Sequence, residues 1–112
     1  MHKMRLVDFA FCKIKNKEKD IEIRLNDEKR KLLKVNDIIE FENIDTKETI
    51  KTRIINLYKF KTFNDLFDSF EHKRLGLKSS DDASIMNNFY SIADQEKYEA
   101  LAIEIELIKE DL

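Results

Sequence analysis

A chain of 112 residues and 13.4 kDa is read as one small domain spanning residues 1–112, too short for a large multi-site enzyme. Hydrophobic residues make up 42% and charged residues 39%, against about 25% charged in a typical domain, so the core has to be lean and the surface heavily ionised. A spanning helix needs about 20 apolar residues, far more than any run here. With no secretory leader expected, the membrane is excluded as a partner.

The single cysteine, Cys12, cannot form an internal disulfide or a thiolate zinc site, and His2 and His72 have no ligand-spaced partners. No metal and no cofactor are expected, and a reducing cytoplasm is the expected compartment. Charge is uneven. Residues 1–34 carry eleven Lys/Arg and six Asp/Glu, whereas residues 35–112 carry ten and seventeen, so a basic first third can meet an anion that the remainder repels.

In chain order, Met4-Arg5-Leu6 reads as a short first strand. Val7, Ala10, Phe11 and Ile14 then recur at helical spacing behind Asp8, the expected N-cap. Cys12 falls near the apolar side of that helix and reads as packing. Ile21 to Leu25 alternates strictly, which predicts a strand with its apolar residues against the core and Glu22 and Arg24 facing outward. Residues 37–43 and 49–60 read as a hairpin around Asp45-Thr46, and the alternation of the second strand slips at Ile54-Ile55, which predicts a bulge or a strong bend.

Thr62 to Asp65 opens a helix with Phe63, Leu66, Phe67 and Phe70 on one stripe, more core-like than a base-stacking platform. Ser80 or Asp81 is placed to cap a further helix bearing Ile85, Met86, Phe89 and Tyr90 and ending at Tyr90-Ser91. Leu101, Ile103, Ile105 and Leu107 alternate in a last strand. With one glycine, Gly76, and no proline, Asn and Asp must make the turns at 26–27, 36–37 and 43–46. The sum is an α+β fold, a small largely closed sheet of about five strands with short helices at its openings.

The residues with most chemical content lie between 15 and 30. On a strand, Glu22 and Arg24 share one face about 7 Å apart, with Lys19 just before, Asp27 just after, and Lys29 and Arg30 beyond the turn. A carboxylate between two cations can bind a phosphate through Arg24 and Lys19 and receive a base edge or hydroxyl at Glu22. Desolvated, Glu22 with Lys19 can also do acid/base work. The plain alternative is a solvated ion pair worth under about 1 kcal/mol.

The pattern His2-x-Met4-x-Leu6, Phe11-x-x-Ile14, Lys19-x-x-Glu22-x-Arg24-Leu25-x-Asp27-x-Lys29-Arg30, Val35-Asn36-Asp37-x-Ile39-x-Phe41 resembles the bacterial ASCH domain family of the PUA-like superfamily. Tyr58-x-Phe60, Phe63-x-x-Leu66, Phe89-Tyr90-Ser91 and Lys97-Tyr98-x-x-Leu101-Ala102-Ile103 agree in order. The resemblance implies a small PUA-like β-barrel of about five strands with flanking helices. It also implies an RNA or nucleotide partner, and a cleft whose ligand-binding residues are Lys19, Glu22 and Arg24, with Asp27, Lys29 and Arg30 at its edge.

Some relatives hydrolyse N-acylated cytidine-type nucleosides with a lysine like Lys19 and a threonine nucleophile where this chain has Glu22, and others are linked to RNA cleavage. The alternative function is therefore a small hydrolase with Lys19 and Glu22 catalytic, Glu22 acting as a base on water. The chain departs from the family's usual glycines at Lys17, Asn36 and Glu99; Asn36 can keep a positive-φ turn cheaply, whereas strained or reshaped loops are expected at Lys17 and Glu99.

Overall fold

The computed structural model describes residues 1–109. Alternating segments form strands β1 (His2–Leu6), β2 (Ile21–Leu25), β3 (Ile38–Asn43), β4 (Thr49–Phe60) and β5 (Ala100–Leu107). They make one sheet in the order β1-β3-β4-β5-β2, with β1 parallel to β3 and the other neighbours antiparallel. The sheet curls into a half-barrel carrying short helices, the α+β arrangement expected from the sequence. Its register shifts between Ile54 and Asn56, where the alternation slips, because an extra residue on β4 has no partner on β5.

Two apolar clusters lie on opposite faces of the sheet. Inside the curl, Met4, Leu6, Ile39, Phe41, Ile54, Leu101, Ile103 and Ile105 pack with Phe11 and Ile14 of α1 (Asp8–Lys15) and with Leu33. Outside it, Ile21, Ile23, Leu25, Ala100 and Ala102 pack with Leu75, Met86 and the Phe63, Leu66 and Phe67 stripe of α2 (Phe63–Ser69). The phenylalanine stripe is core, as its spacing predicts.

Local chemistry explains the element boundaries and several departures from expectation. Thr62 Oγ1 accepts the Asp65 N–H at 3.1 Å and starts α2. Asn43 Oδ1 accepts the Asp45 and Thr46 N–H groups and holds the hairpin turn. Asp8 does not cap α1. The N-cap is Val7, and the Asp8 carboxylate, inside the first turn, accepts from the buried Asn43 side chain at 2.8 Å and so ties the helix to the end of β3. Cys12 is exposed, with Sγ 3.5 Å from the same carboxylate oxygen, and does not serve as packing.

The helix expected behind Ser80 or Asp81 is instead a 3-10 segment, Ala83–Asn88, capped by Asp82, whose carboxylate accepts the Ser84 N–H at 2.9 Å. Tyr90-Ser91 does not close a helix. Ser91 opens one, α3 (Ile92–Tyr98), by accepting the Asp94 N–H at 3.1 Å.

Lys17, Asn36 and Glu99 all keep positive φ, at 64°, 77° and 66°. The loops retain a glycine-like backbone without glycine. Glu99, with ψ 179°, lies in a region that is essentially glycine's alone, and it is held there because its N–H bonds Gln95 O while its carbonyl accepts from Asn26. Strain of about 1–3 kcal/mol in such a position outweighs the roughly 0.5–1 kcal/mol that glycine loses in chain entropy. Glu99→Gly is therefore expected to raise the unfolding free energy by about 1 kcal/mol in urea titration. An equal or lower stability would show that the turn is not strained.

Candidate functional site

β2 is buried on both faces, and this overturns the outward placement expected for its charged residues. In the antiparallel ladder Glu22 stands opposite Ile103 and Arg24 opposite Leu101, so both point into the curl with the first apolar cluster. Ile21, Ile23 and Leu25 face the second cluster beneath α2. A strand at the sheet's edge thus carries a carboxylate that is only 5% exposed.

That carboxylate is fully engaged. Lys19 Nζ lies 3.2 Å from Glu22 Oε1 and Arg24 Nε lies 2.8 Å from Oε2. Lys19 also donates to the Leu75 carbonyl at 2.9 Å, and Arg24 Nη2 to the Arg5 carbonyl at 3.1 Å. Since Arg5 belongs to β1 and Arg24 to β2, the bond joins the two edge strands that the sheet's own ladder leaves unpaired. Burial pushes the Glu22 carboxyl up, but the charges of Lys19 and Arg24 and their hydrogen bonds together outweigh it and hold it below the ordinary carboxylate range. Arg24 behaves reciprocally: desolvation lowers it, and Glu22 more than restores it.

The loop from Glu71 to Lys78 locks this chain of charges in place. The Arg74 carbonyl accepts the Asp20 and Ile21 N–H groups, each at 3.0 Å. The Arg74 guanidinium grips Asp20 at 2.9 Å and Glu104 at 2.9 Å. Two residues on, Gly76 has φ +76° and lies against the Lys19 stem, where an added Cβ would come within 2.7 Å of the Lys19 side chain. The chain's single glycine is needed twice over, for its backbone conformation and for the space above Lys19.

The remaining expected residues divide. Asp27 accepts the Arg30 N–H at 2.9 Å and turns the chain after β2. Arg30 is half-buried beside Arg24 and Tyr90, and desolvation together with the Arg24 charge lowers its pKa. Its Nε is shut off from water without a hydrogen-bond partner among the described residues. Lys29 is exposed and the structure does not bring it to the others.

Tyr90, outside the expected set, stacks on Phe63 with ring centroids 6.0 Å apart, and its hydroxyl lies by the Leu25 backbone among Arg24, Arg30 and Glu22. Burial, the leading influence, keeps that hydroxyl protonated and so a donor. The Phe89-Tyr90-Ser91 pattern is the sequence signal that could have placed it there. Gly76 was equally visible as the only glycine, whereas the Leu75 and Arg5 carbonyls carry no side-chain signal.

Two pockets adjoin these elements, and neither is lined by Glu22 or Arg24. The larger, about 690 Å³, lies among Phe63, Ser84, Asn87, Gln95 and Glu99. The smaller, about 310 Å³, is bounded by Ile14, Lys17, Lys19, Asp20 and the end of β5. The motif residues form a packed seam whose accessible side is the part of Arg24, Arg30 and Tyr90 that remains partly open.

A family-wide sequence profile described as ASCH domain matches residues 4–109, from the first strand to the end of the described chain. The chain belongs to the ASCH domain family. This ASCH domain superposes on the crystal structure of hypothetical protein PH0355 with a TM-score of 0.82 at 28% identity, over 95% of this chain and 97% of that one. It superposes on the solution NMR structure of protein PF0455 from Pyrococcus furiosus with a TM-score of 0.75 at 27% identity, over 97% and 98% of the two chains. No curated protein matches it.

Removing one member of a buried charge chain leaves the others uncompensated, at a cost of about 3–5 kcal/mol. Glu22→Gln is expected to lose about that much in urea titration, because Lys19 and Arg24 stay buried without a counter-charge. Because the folded pKa of Glu22 is depressed, its stabilisation is fully present above the unfolded carboxylate value of about 4.3 and is lost as pH falls below that. The variant should accordingly have a shallower acid limb. Gly76→Ala is expected to cost about 2–4 kcal/mol through positive φ and overlap with Lys19. A loss under about 0.5 kcal/mol would mean that Lys19 is not pinned.

Proposed function

We propose that this ASCH domain is a noncatalytic PUA-like module that binds RNA or a nucleotide in the cytoplasm, with the motif seam as its ligand-binding region. The observation that carries the reading is a local excess of positive charge in a place partly shielded from water. Lys19, Arg24 and Arg30 outnumber Glu22 and Asp27, and Glu22 is already paired with two of them. A cationic remainder in a low-dielectric, rigid setting favours an anionic guest over water, and the adjacent Tyr90 ring and hydroxyl suit a base or ribose. The resemblance to the PUA-like superfamily points to the same class of ligand.

Within this reading Lys19 and Glu22 organise the site more than they touch the guest. The Lys19 ammonium is divided between Glu22 and the Leu75 carbonyl and is 6% exposed. Arg24, Arg30 and Tyr90 supply the contacts, with Asp27 shaping the turn and Lys29 adding long-range attraction from the surface. The hydrolase reading, with Glu22 as base and Lys19 stabilising the developing anion, is less well supported. A carboxylate with a cation on each oxygen and its pKa depressed is a weak base, because taking a proton from water would weaken both ion pairs.

Titration of the 15N-labelled protein with short single-stranded RNAs and mononucleotides at low and moderate salt is expected to shift amides between residues 19 and 30 and around Tyr90, with affinity falling as salt rises. Absence of shifts at both salt concentrations removes the binding reading. No turnover of N-acylated cytidines is expected. Turnover that disappears in Lys19→Met and Glu22→Gln variants still folded by circular dichroism would instead establish the hydrolase.

A further inference from the structure

Arg30 poses a problem that the rest of the fold does not solve. Its Nε is buried and unpaired, a state that leaves the desolvation penalty of a charged donor uncompensated. Its own backbone N–H, not its side chain, is what Asp27 receives. The charge that acts on it most strongly is that of another guanidinium, Arg24, whose Nε is committed to Glu22 and one of whose terminal nitrogens is committed to the Arg5 carbonyl. Two cations therefore repel each other around the end of an edge strand, one of them with a donor that nothing in the described chain accepts.

A structure built only for stability would place an apolar side chain at 30 or turn the guanidinium to water. Asp27 is close enough to offset part of the repulsion, but it does not reach Nε. What completes the arrangement is an acceptor with negative charge and several oxygens, small enough to sit between two planar forks.

We propose that Arg24 and Arg30 together form the seat of a phosphate group, with the Tyr90 hydroxyl as a third donor, and that Lys19 takes no part in holding it. The inference rests on the reading of the protein as a nucleotide or RNA binder and specifies which atoms carry the anion. Once what covers Nε gives way to the guest, Arg30 Nε and a terminal nitrogen of the same fork meet one pair of phosphate oxygens, the pairing in which guanidinium groups bind phosphate most selectively. The free terminal nitrogen of Arg24 reaches a third oxygen. Glu22, bonded to Arg24 Nε, fixes the orientation of that second fork and is a positioning residue. Phosphate could come from a free nucleotide or from an RNA backbone, and the two sources present the same oxygens.

The seat makes an unusual pair of demands on one substitution. Arg30→Met removes the unsatisfied donor and the repulsion with Arg24, so the ligand-free protein should be as stable as the wild type or more so. The same change should weaken binding of uridine 5′-monophosphate by at least about tenfold. A side chain kept for structural reasons would show the opposite on the first count.

The experiment follows the Arg30 Nε–Hε resonance in 15N-labelled protein during titration with inorganic phosphate, uridine, uridine 5′-monophosphate and the diester-only trinucleotide UpUpU, alongside urea unfolding of wild type, Arg30→Met and Arg30→Lys. Support consists of Arg30 Hε shifts with phosphate-bearing probes and none with uridine, together with lost affinity and undiminished stability in Arg30→Met, and intermediate affinity in Arg30→Lys. A response to the monophosphate alone assigns a terminal phosphate, and an equal response to UpUpU assigns the RNA backbone. The seat is overturned if the monophosphate binds Arg30→Met as it binds wild type, if uridine binds equally well, or if Arg30→Met is destabilised. In each of those cases nucleotide binding itself can still stand. Arg30 shifts with inorganic phosphate but no binding of any nucleoside-containing probe would keep the seat and remove the nucleotide reading, and silence with every probe removes both.

Discussion

One carboxylate governs the construction of this domain. Glu22 lies inside the curl of the sheet, where an unpaired charge would be prohibitively expensive, and is neutralised from both sides, by Lys19 before the strand and Arg24 within it. Each cation is in turn fastened to backbone from elsewhere: Lys19 to Leu75 and Arg24 to Arg5. A five-stranded half-barrel has two exposed edges, and in this one the edges are joined by a side-chain bridge instead of a ladder of main-chain bonds.

The bridge constrains the rest of the chain. Lys19 can reach Glu22 only if its stem runs beneath Gly76, and Gly76 can lie there only without a side chain and with φ +76°. The loop bearing Gly76 is held by Arg74, whose carbonyl receives the first amides of β2 and whose guanidinium joins Asp20 to Glu104 on β5. Loosening any of these contacts frees Lys19, and an unpinned Lys19 leaves Glu22 half-neutralised. Coupling of this kind spreads over contiguous contacts, so substitutions in the loop and in the motif should not be additive.

The strands, the hairpin, the bulge near Ile54-Ile55 and the phenylalanine stripe of α2 were legible in the sequence because each is a matter of period and of residues a few positions apart. The orientation of β2 was not. Strict alternation shows that two faces differ, but here the charged face is the one enclosed by the curl, and only the long-range approach of β1 to β2 reveals it. Asp8 misled for a similar reason. Its residue type suits an N-cap, yet the buried Asn43, 35 positions away, competes for its carboxylate and wins. The region from 80 to 91 reads as one helix by apolar spacing, but Asp82 and Ser91 each start a separate segment, and the caps outweigh the pattern. Within the site, Lys19, Glu22 and Arg24 could be grouped from spacing, whereas the contribution of Tyr90 depends on a turn between two short segments that no local rule fixes.

On the proposed reading, the balance of charge at the seam suits recognition better than catalysis. Acid/base chemistry needs a group whose proton can be exchanged near neutral pH, and the seam holds its carboxylate firmly ionised and its lysine firmly bonded. Recognition needs the reverse: donors whose charge and orientation do not change as the guest arrives. Arg24 meets that condition through Glu22, and Tyr90 through its stacking on Phe63. Burying Glu22 between its two cations gives Arg24 a fixed direction, so that on the proposed reading a guest would meet a fork already oriented and lose little entropy in ordering it.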